Sequence, residues 1–187
     1  MTRQNGPYFD ENYLRQGSPT NSTFAESVPR FAAGGNLSAL TTQVMLTAGL
    51  PLQYGDKVTS LTFISGGTAA GTPTNYWFAL YDTSGALLSQ SADQTTTAWA
   101  ADTALTLALA SAQTITTPGL YYAAIMVKAT TPPTLRGADL GHATVGGAIG
   151  LSAKVLAQTS GSALTATAPA TIATPTTVAT LPYVVAS

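Results

Sequence analysis

The chain has 187 residues with seven basic and eight acidic side chains, one histidine, no cysteine and a formal net charge of −1. Those numbers allow one domain with an appendage, exclude a disulfide framework and thiol chemistry, and leave no long-range field to capture nucleic acid. A charged fraction of 8%, against roughly 25% in ordinary soluble domains, leaves surface polarity to Thr, Ser, Asn and Gln, which suits a subunit whose surface is partly covered.

Six of the charges fall in the first thirty residues: Arg3, Asp10, Glu11, Arg15, Glu26 and Arg30. They are interleaved with Tyr8, Phe9, Tyr13, Leu14 and Phe24, and Pro7 and Pro19 discourage long helices. The aromatics follow neither a helical nor a strand period. Residues 1–36 therefore read as an extended N-terminal anchoring arm, with Tyr8, Phe9, Tyr13, Leu14, Arg15, Phe24 and Arg30 as its partner-binding side chains. Aromatic and Arg side chains are the usual anchors of such contacts, and an arm that orders on binding wraps a large surface. The plainer alternative is a terminus folded back on its own domain. The first residues lack the apolar stretch of a secretory signal, and no apolar run approaches the ~20 residues of a membrane span. Synthesis in a cytoplasm, release by lysis and no membrane partner are the expectations.

From residue 37 onward the pattern has the short period of strands. Leu61 and Phe63 flank Thr62, and Tyr76, Phe78 and Leu80 alternate with Trp77, Ala79 and Tyr81. Leu105, Leu107 and Leu109 do the same with Thr106 and Ala108, as do Leu120, Tyr122, Ala124 and Met126 with their neighbours. Successive strand side chains point to opposite faces. Tyr54-Gly55-Asp56, Ser65-Gly66-Gly67, Asp82-Thr83-Ser84-Gly85 and Thr117-Pro118-Gly119 punctuate the runs with turn chemistry.

Strands are predicted near 40–50, 57–65, 75–82, 86–92, 103–110, 113–116, 120–129, 148–157 and 179–186. Residues 98–112 are rich in the helix formers Ala and Leu, but the strict Leu105/Leu107/Leu109 alternation predicts a strand. The Thr/Ala/Pro-rich 159–178 reads as a long loop crossing the sandwich end, or as a mobile segment. Leu181–Val185 reads as a closing edge strand because of Pro182. The fold class is all-β: an antiparallel β-sandwich over 37–187, with jelly-roll connectivity as one form. Exposed edges with so little charge predict self-association, with a trimer the expected state.

Chemistry is sparse. His142 is the lone histidine, and no strand-turn-helix nucleophile elbow accompanies it. Zinc needs several Cys or His ligands. The body beyond the arm has no Glu, only Asp56, Asp82, Asp93, Asp102 and Asp139, and glycoside cleavage needs a facing acid pair. Asp56 and Asp82 sit in turn positions and read as backbone caps. Asp93 and Asp102 flank Trp99, which reads as a core or edge tryptophan or as a small sugar platform. Gly66-Gly67 and Gly146-Gly147 lack the Lys-Ser/Thr of a phosphate loop. No catalytic residue, metal site or cofactor is expected, and the chain does not read as an enzyme.

The stretch from about Leu50 to Thr134 contains PLQYGDKVTSLTF (51–63), GTPTNYWFALYD (71–82), QTTTAW (94–99) and GLYYA (119–123). It resembles a module found in virion proteins of tailed phages that infect actinobacteria. The resemblance implies a β-sandwich on the virion, in minor tail proteins or small stand-alone structural proteins, with no catalytic residues. The module stands here behind a short arm, without coiled coil, collagen-like repeat or tail-attachment domain. The expected role is therefore a capsid decoration protein anchored to the major capsid protein by its arm. The alternative is a minor tail or fibre-tip subunit, joined to tail proteins and binding host surface glycan through Trp99 and Arg136, the latter in the 131–137 loop. A small carbohydrate-active enzyme is a third reading, disfavoured by the missing acid pair.

Overall fold

Strand alternation buries one face of a sheet against a partner and leaves the other to water, unless the strand is apolar on both faces. Both cases occur in the computed structural model, which describes residues 25–139 and 155–187. The described elements are β1 (Ala25–Glu26), a 3-10 turn (Arg30–Ala32), β2 (Gly35–Asn36), β3 (Met45–Leu52), β4 (Lys57–Ile64), β5 (Gly71–Tyr81) and β6 (Leu87–Gln90). They continue with β7 (Ala104–Thr114), β8 (Gly119–Thr131), β9 (Arg136–Asp139), β10 (Ala157–Ser160), β11 (Thr176–Thr177), β12 (Thr180–Pro182) and β13 (Val184–Ala186).

The strands form a four-stranded sheet, β1-β13-β4-β7, a six-stranded sheet, β11-β10-β3-β8-β5-β6, and a small sheet, β12-β9-β2. Every pairing is antiparallel. Number β1, β3, β4, β5, β6, β7, β8 and β13 from first to eighth. The four-stranded sheet is then 1-8-3-6, and the larger one contains 2-7-4-5. Only the β5–β6 connection stays within a sheet; the others cross between the two. This is jelly-roll connectivity, realised with β10 and β11 added at one edge.

Turn chemistry fixes the ends of these strands. At the β3–β4 turn the Asp56 carboxylate accepts from Gln53 N at 2.6 Å, and Gly55 takes the left-handed φ of 85°. At the β5–β6 turn Asp82 Oδ1 accepts from Ser84 N at 2.7 Å, Ser84 Oγ at 2.6 Å and Ala86 N at 2.9 Å. Burial pushes the Asp82 pKa up, but the hydrogen bonds from Ser84, Ala86 and Gly85 outweigh it and hold the carboxyl below its ordinary range. Both aspartates are the caps expected of them.

The main core lies between the two large sheets. Phe63 from β4 meets Phe78 from β5 with ring centroids 4.7 Å apart, among Leu50, Leu61, Leu80, Ile125 and Val184. The outer face of the six-stranded sheet is apolar as well. Trp77, Ala79, Tyr81, Tyr122, Ala124 and Met126 form a second buried cluster with Met45 and Ala168. Its cover is the segment 161–175, which crosses the face of the sheet rather than the end of the sandwich. Trp77 Nε1 donates to Thr165 O at 2.7 Å and Tyr81 Oη to Pro169 O at 2.8 Å. Leu164 N reaches Gln43 O, and Ile172 N reaches Gly85 O. Residues 76–81 are all fully buried, so the sheet needs two covers. An irregular Thr/Ala/Pro chain, with carbonyls free to accept, supplies the second.

Other departures have local causes. The strands expected at 103–110 and 113–116 are one strand, β7, whose pairing with β4 absorbs a bulge between Val58 and Ser60. The expected strand at 40–50 begins only at Met45. Residues 148–154 of the expected 148–157 strand lie outside the described residues, and the ladder here is β10. The 179–186 strand breaks at Tyr183 into β12 and β13, which serve different sheets. β13 lies between β1 and β4, so it is not an edge. Residues 25–36, assigned to the arm on the sequence, carry β1 and β2 and pair with β13 and β9. Among the described residues the sandwich thus begins by Ala25.

Tyr81→Phe, which deletes only the hydroxyl that holds the 161–175 strap, should cost roughly 1 kcal/mol in denaturant unfolding. Trp77→Ala, which also opens a cavity, should cost about 3–5 kcal/mol. In both variants amide exchange should rise first in residues 161–175.

Candidate functional site

The N-terminal segment joins the sandwich at β1, an edge strand of the four-stranded sheet. Its register there is short, Ala25 opposite Ala186 and Glu26 opposite Val185. Ser27 reinforces it: Ser27 N donates to Val184 O at 3.0 Å, Ser27 Oγ donates to Pro182 O at 2.8 Å, and Ser27 Oγ accepts from Val184 N at 3.0 Å.

Glu26 is 4% exposed, and a buried carboxylate needs compensation. Its Oε1 accepts from Tyr183 Oη at 2.7 Å and from Arg30 Nε. Burial, followed by the bond to Glu26, pushes the Tyr183 hydroxyl up to about 12. Arg30 is half-exposed at the rim, and the next residue, Phe31, is 81% exposed.

Across from Arg30 stands Arg136 on β9. Its Nη2 donates to Asp102 Oδ1 at 2.6 Å and its Nη1 to Gly34 O at 3.2 Å. Arg30, Ala33, Gly34, Ile64, Arg136 and Tyr183 line a recess of about 270 Å³. Two of the four arginines in the chain thus meet at one open recess beside β1. With guanidinium edges, an exposed ring nearby and an apolar floor, its chemistry is that of contact with a carboxylate or an aromatic side chain.

The sequence-nominated residues separate clearly. Tyr8, Phe9, Tyr13, Leu14, Arg15 and Phe24 lie outside the described residues, as does His142. Arg30 lies at the recess. Trp99 is a correction: it is 2% exposed, packs on Tyr76 and Phe78 with centroids at 6.2 and 5.9 Å, and donates Nε1 to Thr103 O at 3.0 Å. It is a core tryptophan with a satisfied N–H and offers no sugar platform. Arg136 is not in a loop but in β9, engaged with Asp102. Asp93 Oδ2 accepts from Asn75 Nδ2 at 2.6 Å.

Glu26 and Tyr183 were not singled out from the sequence. The i,i+4 spacing of Glu26 and Arg30 was a weak signal, obscured by Pro29. The partnership with Tyr183, across 157 positions, left none. Among the described residues no three His, Cys, Asp or Glu side chains are grouped so as to hold a metal ion. No protein-family model matches the chain, and no curated protein matches it significantly.

Tyr183→Phe leaves Glu26 with Arg30 alone and should cost about 1–3 kcal/mol at neutral pH. The Tyr183 pKa is raised above the ordinary 10.0, so its contribution is complete below that pH and is lost as pH rises toward about 12. Urea titrations at stepped alkaline pH should therefore show a shallower loss of stability in Tyr183→Phe than in the parent. Trp99→Ala should destabilise the fold by about 3–5 kcal/mol rather than act as a surface substitution.

Proposed function

We propose that this protein is a structural component of a phage particle, a capsid decoration protein held to the major capsid protein through its N-terminal segment. The observation that carries this reading is the point where that segment enters the sandwich. It joins at an edge strand, beside a recess lined by Arg30 and Arg136. A segment carrying Tyr8, Phe9, Tyr13, Leu14 and Arg15 continues the same chemistry, which is that of interface anchors. The resemblance of the stretch from about Leu50 to Thr134 to virion β-sandwich modules supplies the kind of particle. Self-association into a trimer around the capsid lattice belongs to the same proposal. It draws on β7 as a sheet edge whose Ala104, Thr106, Ala108 and Ala110 are exposed and uncharged.

The test is occupancy on purified virions. The parent protein should be present in fixed proportion to the major capsid protein. Full-length Tyr8→Ala/Phe9→Ala/Tyr13→Ala and a form lacking residues 1–24 should keep the folded β-sheet circular dichroism spectrum yet fail to join particles. Full occupancy by either folded variant would refute anchoring by the N-terminal segment. A few copies per particle would point instead to a minor tail subunit.

A further inference from the structure

The cover over the outer face of the six-stranded sheet leaves a second recess, of about 190 Å³. One wall is the β5–β6 turn, at Ser84 and Gly85, and the other is the end of the strap, at Ile172 and Pro175. The walls are joined where Ile172 N donates to Gly85 O at 2.8 Å. Tyr122 on β8 and Gln158 on β10 also line it. In the intervening strand β3, Gly49 pairs with Tyr122 and brings no side chain to their shared face.

Tyr122 is 5% exposed and Gln158 is 6% exposed. Neither the Tyr122 hydroxyl nor the Gln158 side-chain amide has a hydrogen-bond partner among the described residues. Elsewhere the buried polar ends of Trp77, Tyr81, Trp99 and Tyr183 are satisfied, while among the described residues Asp93 Oδ1 is fully buried without a partner. Tyr122 and Gln158 are distinct in that two largely buried side chains turn open polar ends to one small recess.

We propose that this recess binds a single neutral sugar residue. The Gln158 amide carries two donors and an acceptor, and the Tyr122 hydroxyl one of each, a set that matches adjacent sugar hydroxyls. Ile172 and Pro175 give the C–H face of a ring an apolar surface. Among the described residues no charged side chain lines the recess. The nearby Asp82 carboxylate, held by Ser84 and Ala86, would repel an acidic sugar, and no basic side chain among the described lining residues offsets it. The volume accommodates one ring, not a chain, so the ligand is a free monosaccharide or the terminal residue of a glycan. This site is separate from the proposed anchoring recess and does not depend on it.

The experiment uses the ¹⁵N-labelled full chain and follows the Gln158 side-chain amide during titration with methyl glycosides of glucose, galactose, mannose and N-acetylglucosamine, and with glucuronate. At least one neutral glycoside should give saturable shifts at millimolar concentration, and glucuronate should give none. Tyr122→Phe, which keeps the packed ring, should weaken that binding about fivefold, the worth of one neutral hydrogen bond, with the rest of the spectrum unchanged. An oligosaccharide ending in the same residue distinguishes the sources: tighter binding at the same amide marks a glycan terminus, equal binding a free sugar. A Gln158 amide that does not move with any neutral glycoside, or binding that Tyr122→Phe leaves unchanged, overturns the proposal.

Discussion

The central strands β5 and β8 are apolar on both faces, and the rest of the architecture answers to that constraint. Tyr76, Phe78 and Leu80 face the four-stranded sheet, while Trp77, Ala79 and Tyr81 face away from it, and all six are fully buried. A sandwich of two sheets covers only the first set. The second would stand as a large exposed apolar patch were the 161–175 strap not laid across it. The strap is also poor in apolar bulk. Its hold depends on a few inserted side chains, Leu164, Ala168 and Ile172, and on carbonyls that accept from Trp77 and Tyr81. Tyr81 would otherwise carry an unsatisfied hydroxyl in a buried setting, where burial already raises its pKa. Strap and sheet therefore satisfy each other.

The second constraint is closure. β13 fills the gap between β1 and β4, so residues 25–26 and 184–186 meet in one sheet. The last residue extends this: Ser187 O accepts from Thr59 N at 2.6 Å and Ser60 N at 2.8 Å. The four-stranded sheet is complete only when residues nearly the whole chain apart have paired. Loop-closure entropy must be overcome before those pairings contribute, and folding dominated by such contacts is slow. The Glu26–Tyr183–Arg30 group lies at that closure. It ties β1 to the β12–β13 corner by a buried carboxylate that only the assembled sheet can compensate.

Legibility in the sequence follows the range of the interactions. Where alternation is local and strong, as in β4, β5, β7 and β8, period-two reading finds the strand. It even overrides helix propensity across Leu105, Leu107 and Leu109, which face the core from β7. The Asp82-Thr83-Ser84-Gly85 turn was equally readable, because the hydrogen bonds its Asp82 carboxylate accepts all lie within four residues. The strap was not readable: Thr/Ala/Pro runs have no period, and their order comes from Trp77 and Tyr81, some ninety positions away. β9 was hidden for another reason. Gly137 is a poor strand former, yet a Cβ there would come within 2.3 Å of Leu181 O, so the close approach of β12 requires it. Trp99 was ambiguous because its flanking aspartates suggested a surface, whereas its ring completes the Tyr76–Phe78 stack.

The scarcity of charge acquires a physical meaning once the charges are placed. Glu26 pairs with Arg30, and Asp102 with Arg136, so the recess beside β1 is electrically rich at short range and nearly neutral at a distance. Paired charges of this kind do little to steer a partner from afar and much to fix its orientation on contact. On the proposed anchoring, such a surface would be read by hydrogen-bond geometry rather than by net charge. Among the described residues the second recess is lined by uncharged groups only, an amide and a phenol among them. In both places the fold keeps polar capacity at the sandwich surface while the sheets themselves remain almost uncharged. Both recesses lie where strands end and irregular chain crosses them, so any selectivity they exert would come from short-range fit.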